Sequence, residues 1–99
     1  MLVKKEEISE LDKARRAYFN EIAAKFKHAK ALFSQRDHQK CFDEMEAIIK
    51  MAMHAYDLET LLALFSLRSQ ISLFFGSFEL AVKDLRKLNQ VADEIELKS

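Results

Sequence analysis

The chain has 99 residues, 49% hydrophobic and 32% charged, which is the composition of one folded domain and not of a disordered segment. It is too short for a cofactor domain beside a substrate domain. It has no Pro and one Gly, Gly76, where sandwiches, barrels and dinucleotide folds spend several on turns. Lys plus Arg and Asp plus Glu both number 16, so the zero net charge gives no general attraction to nucleic acid or to an anionic membrane.

Residues 1–8 read as a frayed lead-in. Ser9 followed by Asp12 resembles a capping-box start. From there Leu11, Tyr18, Phe19, Ile22, Phe26, Ala29 and Phe33 recur at intervals of three, four and seven. That spacing predicts one apolar face of a first helix over about residues 9–34. A break follows at residues 35–38, with Asp37 as N-cap. The second helix sets Cys41, Phe42, Met45, Ile48, Ile49, Ala52 and Tyr56 on one face, and Asp43, Glu44, Glu46 and Lys50 on the other.

Asp57 is the next cap. The third helix, from Leu58 to Phe75, is apolar nearly all round, which marks a helix touched on several sides. Glu59, Arg68 and Gln70 interrupt the stretch, and it falls short of the ~20 clean apolar residues of a membrane span. Gly76 ends it and Ser77 caps the fourth helix. That helix is expected to turn Phe78, Ala81, Val82, Leu85, Leu88, Val91, Ala92 and Ile95 inward, and Lys83, Asp84, Arg86, Lys87, Asp93 and Glu94 outward. Short connections make each helix antiparallel to the last.

Charge is uneven along the chain. Residues 1–40 carry ten basic and six acidic side chains, and residues 41–99 six and ten, so the halves are +4 and −4. Met1 to Glu7 is polar and lacks the apolar core of a signal peptide. A single cysteine, Cys41, forms no internal disulfide and fits a reducing, cytoplasmic setting.

Catalytic signatures are missing: no Gly-rich phosphate loop, no nucleophile elbow, no His-Glu-x-x-His. The chain therefore reads as non-enzymatic and without a cofactor. His38 and Cys41 lie one turn apart, but structural zinc takes four ligands, so no metal is expected. A redox role for Cys41 needs exposure and a lowered pKa, and burial is the expectation. Helix 1 is basic through Lys13, Arg15, Arg16, Lys25, Lys27 and Lys30, yet Glu10, Asp12 and Glu21 interleave, so nucleic acid is not an expected partner.

A shift of forty residues lays the chain partly on itself. Ala29 falls on Ser69, Phe33 on Leu73, Cys41 on Ala81, Phe42 on Val82, Met45 on Leu85, Ile48 on Leu88 and Ala52 on Ala92. Paired helices approach closely only where side chains are small, so a repeated small–turn–small pattern marks a repeated helical hairpin. The stretch Ser69 to Leu88, with Phe74-Phe75, Gly76, then Phe78-Glu79-Leu80-Ala81 and Leu85, resembles the tetratricopeptide repeat. The first copy departs from that pattern, with Arg36 in the place of the Gly and His38 in that of the aromatic. Neither copy has the closing Pro.

The resemblance implies an all-α fold of four antiparallel helices stacked as two hairpins; a plain four-helix bundle is the alternative. It also implies a concave face on helices 1 and 3 that binds a peptide or helix of another protein. Here that face would hold Phe26, Lys30, Phe33, Ser66, Gln70 and Phe74, bordered by Lys27. Helix 3 offers Ser66 and Gln70 where a clamp for an acidic C-terminus would need Lys or Arg. The alternative function is that of a small structural subunit, or a homodimer, without a groove.

Overall fold

The structure, a computed structural model, describes the backbone of residues 5–98 and the side chains of residues 9–98. Four helices follow one another: α1 Lys5–Ser34, α2 His38–His54, α3 Leu58–Phe74 and α4 Phe78–Lys98. No strand occurs among the described residues. The fold class is all-α, as the periodicity predicts. Helix α1 starts four residues before Ser9, because Lys5, Glu6 and Glu7 are good helix formers and nothing breaks the chain there. Of the lead-in expected to fray, residues 1–4 lie outside the described residues, and the backbone of 5–8 is already helical.

The three turns are built alike, twenty residues apart. Arg36, Tyr56 and Gly76 have φ of 59°, 53° and 78°. After each, the next backbone N–H reaches back to close the preceding helix: Asp37 donates to Leu32 O at 3.0 Å, Asp57 to Ala52 O at 2.9 Å and Ser77 to Ser72 O at 2.7 Å. This is the Schellman closure, which requires a left-handed residue. Only Gly76 adopts that conformation without a steric penalty. The residue that closes one helix also opens the next. Asp37 Oδ1 accepts from the Lys40 N–H, and Asp57 Oδ1 from the Thr60 N–H, both at 3.2 Å.

Among the described residues, helix backbones approach closely only between sequence neighbours: α1 with α2, α2 with α3, α3 with α4. The result is an open, flat array of 53 × 32 × 14 Å, two hairpins stacked through α2 and α3. A closed bundle would bring α4 back onto α1, and it does not. The core joins Ile22 and Ala29 of α1 to Met45, Ile48, Ile49 and Ala52 of α2, and these to Leu61, Leu64 and Phe65 of α3. Small residues sit where the hairpins close: Ala29 against Cys41, and Ser69 and Ser72 alongside Ala81, all buried. Cys41 Sγ–H donates to Ala29 O at 3.6 Å.

At 30 residues against 17, α1 outruns α2 by thirteen residues, ~20 Å at 1.5 Å per residue. Every described side chain from Ser9 to Ala17 is exposed. Tyr18 fixes the point where α1 meets the array. Its hydroxyl donates to Asp57 Oδ2 at 2.9 Å, tying α1 to the α2–α3 turn. Burial, with the bond and charge of Asp57, raises the Tyr18 phenol to about 12. Burial works to raise the Asp57 carboxyl as well, but the bonds from Thr60 and Tyr18 outweigh it and hold it below its ordinary value.

Helix α4 departs from the face expected of it. Asp84 points inward and is 1% exposed, whereas Phe78, Val82 and Leu85 are 64%, 46% and 45% exposed. The buried line is Ala81, Asp84 and Val91, with Leu88 and Ile95 half-buried beside it. An ion pair sets this rotation. Arg68 of α3 donates from Nε to Asp84 Oδ2 at 2.9 Å and from Nη2 to Asp84 Oδ1 at 2.8 Å. Its Nη1 reaches Glu46 Oε2 of α2 at 2.6 Å. One guanidinium thus binds three helices with fork geometry that a lysine lacks. Burial alone would lower the Arg68 pKa; the bonds to Asp84 and Glu46 more than offset this, and the net shift is upward.

The forty-residue repeat extends to this pair. Subtracting forty from Arg68 and Asp84 gives His28 and Glu44, and these also meet, Nδ1 to Oε2 at 2.8 Å. Lys25 joins the same carboxylate at 3.7 Å. Each hairpin is therefore crossed at the same place by a base on its first helix and an acid on its second. The first copy is solvated; the second is buried.

Candidate functional groove

Consecutive packing leaves α1 and α3 flanking α2 on one side. Between them opens a groove of about 450 Å³. Its floor is α2, through Cys41, Met45 and Ile48. One wall is α1, through Phe26, Ala29, Lys30, Phe33 and Ser34. The other is α3, through Leu67, Gln70, Ile71 and Phe74. Lys30 is the one charged side chain in this lining, and Ser34 and Gln70 are the other polar ones among an otherwise apolar set.

One end of the groove is closed by rings. Phe33 meets Phe74 at 5.5 Å and Phe75 at 5.6 Å between centroids, and Phe74 meets Phe75 at 5.3 Å. His38 stacks on Phe75 at 3.8 Å, and Phe42 approaches the same ring edge-on at 6.0 Å. Tilted and edge-on pairs are the favourable arrangements for such rings. The cluster ties the α1–α2 turn to the end of α3 and holds Phe33 and Phe74 in place. Phe74 is still 63% exposed, so this wall is left uncovered.

Of the residues the sequence assigns to this face, Phe26, Lys30, Phe33, Gln70 and Phe74 come together in the lining. Two do not. Lys27 lies 100° round α1 from Phe26 and is exposed outside the rim. Ser66 turns toward its own helix, where its carbonyl accepts from Ser69 Oγ at 2.7 Å and its hydroxyl from Gln70 Nε2 at 3.5 Å. The wall residues Leu67 and Ile71 are missed by the sequence reading, because they belong to an apolar stripe that marks core; Met45 and Ile48 beneath them are 1% and 0% exposed and belong to the core.

Other candidate chemistry separates in space. Cys41 is fully buried, and burial, together with the charge of Asp37, raises its thiol, the opposite of what a reactive cysteine requires. His38, one turn away, faces Phe75. No three His, Cys, Asp or Glu side chains converge as metal ligands among the described residues. Glu44 and Glu46, expected on a solvated face, each hold an ion pair. No described helix is long and apolar enough to cross a membrane. Comparison with protein-family models, with curated proteins and with solved structures finds no match.

Proposed function

We propose that the chain is a non-enzymatic protein-interaction module, a tetratricopeptide-like adaptor that holds a segment of another protein in the groove between α1 and α3. The observation that carries this reading is the apolar groove, walled at one end by an aromatic cluster and not filled by the chain's own side chains. Burying aromatic surface of this size is the main favourable term in helix and peptide recognition. The lining offers no pair of convergent titratable groups that acid–base chemistry would need.

The test is a titration of isotope-labelled protein with an uncharged amphipathic peptide of Leu, Ala and Gln, followed by NMR. Shift changes are expected at Phe26, Phe33, Leu67, Gln70 and Phe74, and Phe74→Glu should abolish them. Changes spread over other faces, or binding unaffected by Phe74→Glu, would remove the groove as the site.

A second reading, that of a structural subunit or homodimer, rests on α4. By the forty-residue repeat, Val82, Leu85 and Arg86 correspond to Phe42, Met45 and Glu46. Those α2 residues belong to the side that α3 covers, as the Glu46–Arg68 contact shows. On α4 nothing covers the corresponding side. The free edge of α1 would not stack there, because Leu61, Leu64 and Arg68 of α3 correspond to the exposed Glu21, Ala24 and His28. A second copy would pair α4 with α4 about a two-fold axis. Sedimentation equilibrium up to about 0.5 mM decides it, the weak end for a one-helix interface. A dimer lost in Leu85→Glu supports the homodimer, and a monomer throughout removes it.

A further inference from the structure

We infer that the occupant of the groove is an amphipathic α-helix carrying acidic side chains along the flank that meets α1. The inference rests on the groove reading above and specifies its partner.

The walls favour a helix over an extended segment. An extended peptide brings one unpaired N–H and one unpaired C=O per residue, and each costs free energy if buried without a partner. The walls and floor are helical, with their backbone groups committed to their own helices. Only Lys30, Ser34 and Gln70 offer polar side chains in the lining. A helix satisfies its backbone internally and presents only side chains. Its ridges also suit the walls. Phe19, Phe26 and Phe33 recur every seven residues along α1, which keeps them on one stripe. The stripe spans fourteen residues, ~21 Å, the length of a four-turn helix. Phe19 is exposed and prolongs the α1 wall past the closed part of the groove. Leu67, Ile71 and Phe74 form the matching ridge on α3.

Charge sets the flank. Arg16, Lys27 and Lys30 lie along the α1 side, and none of them makes an ion pair within the described residues, although neighbouring Lys25 and His28 do. Asp12, four residues before Arg16, lies on this same face and Glu21 on the opposite face of α1, so the lysine end of the flank, Lys27 and Lys30, carries the charge. Across the groove, the α3 rim presents Ala63, Ser66 and Gln70, and the one charge in that stretch, Arg68, is buried against Asp84. An incoming helix therefore meets unpaired positive charge on one side and neutral surface on the other. Acids placed on the α1 flank satisfy the lysines, and basic residues there repel them.

Two sixteen-residue peptides test this, identical in their Leu stripe, with either three Glu or three Lys on one flank. Binding is read by fluorescence anisotropy at about 0.15 M salt and helix content by circular dichroism. The Glu peptide is expected to bind about tenfold more tightly than the Lys peptide. It should gain helicity on binding, and the preference should reverse with the protein variant Lys27→Glu/Lys30→Glu. Both positions are exposed, so the variant keeps the fold, as its own spectrum will verify. Equal binding of the two peptides overturns the charge assignment and leaves the groove reading standing. Binding without helicity overturns the helix. Failure of both peptides, with the uncharged peptide also inert, removes the groove reading itself.

Discussion

Replacing Asp84 by Ala is the sharpest probe of what holds the array together. Asp84 is 1% and Arg68 8% exposed, and both acid oxygens accept from the guanidinium, at 2.9 and 2.8 Å. Removing the acid leaves a buried cation whose remaining partner, Glu46, has a side chain 47% exposed. Removal of one member of a buried pair costs about 3–5 kcal/mol, most of it from the stranded charge. The contact to Glu46 softens this, so about 3 kcal/mol is expected. A domain of this size has about 5–15 kcal/mol in all, and the midpoint of thermal unfolding should fall by roughly 10–25 °C. The double replacement Arg68→Met/Asp84→Leu removes both charges together and should recover most of the loss, since apolar substitutes of similar volume are often neutral. The solvated counterpart, His28→Ala, should cost at most about 1 kcal/mol. Urea denaturation followed at 222 nm, with the unmodified chain, Asp84→Leu, Arg68→Met and the double variant as the four corners, gives the coupling. A loss below about 1 kcal/mol for Asp84→Ala, or a double variant as unstable as the single, would refute the claim that this pair fixes α4.

Three further outcomes are expected. Gly76→Ala should cost about 1 kcal/mol for left-handed backbone alone, since a Cβ there meets nothing within 4 Å. Arg36→Gly, at the same place in the first turn, should stabilise by a similar amount, both read from the denaturation midpoint at unchanged slope. Tyr18, the sole tyrosine in a Tyr56→Phe background, should ionise near about 12 by absorbance at 295 nm. Its phenol keeps its proton longer folded than unfolded, so this contribution is complete below pH 10 and lost as pH rises through 12; a variant that also carries Tyr18→Phe should not show that loss. Ser72→Ala should be neutral or stabilising by up to about 1 kcal/mol, because its buried Oγ has no hydrogen-bond partner; a clear loss in the same assay would reveal one.

Most of the helical plan was legible because local chemistry decides it. Asp37, Asp57 and Gly76 are strong cap and stop residues, and they act as such in the structure. The rotation of helix α4 was not legible, because it is set by a tertiary ion pair. Phe78, Val82 and Leu85 form as good an apolar stripe as Ala81, Leu88 and Val91, and periodicity cannot choose between them. The choice falls to Arg68, which at its place in α3 leaves no other satisfaction for its fork than Asp84 and Glu46. An arginine inside an apolar run was the available signal: a buried guanidinium demands acids from the helices around it. Lys27 and Ser66 failed as lining for a simpler reason. Each lies within one or two residues of a true lining position, and a helix turns 100° per residue.

The groove itself follows from the turns. Three closures of one type, twenty residues apart, join α2 and α3, each 17 residues long, to their neighbours by the same short link. Equal links between equal helices repeat one rotation, so each helix is laid on the last in the same manner, and none is returned to the first. A closed bundle needs its turns to differ or its crossing angles to compensate, so that α4 can cover α1. Here α1 and α3 are instead held apart by the width of α2, and the apolar side chains between them, Phe26, Phe33, Leu67 and Phe74, line the groove, with Phe33 and Phe74 meeting each other and Phe75 at one end. The same rule leaves α4 with one covered side and one bare side. The groove and the bare edge are thus two results of one feature, the uniform twenty-residue step. A partner helix seated between α1 and α3 would supply the contacts that closure would have given.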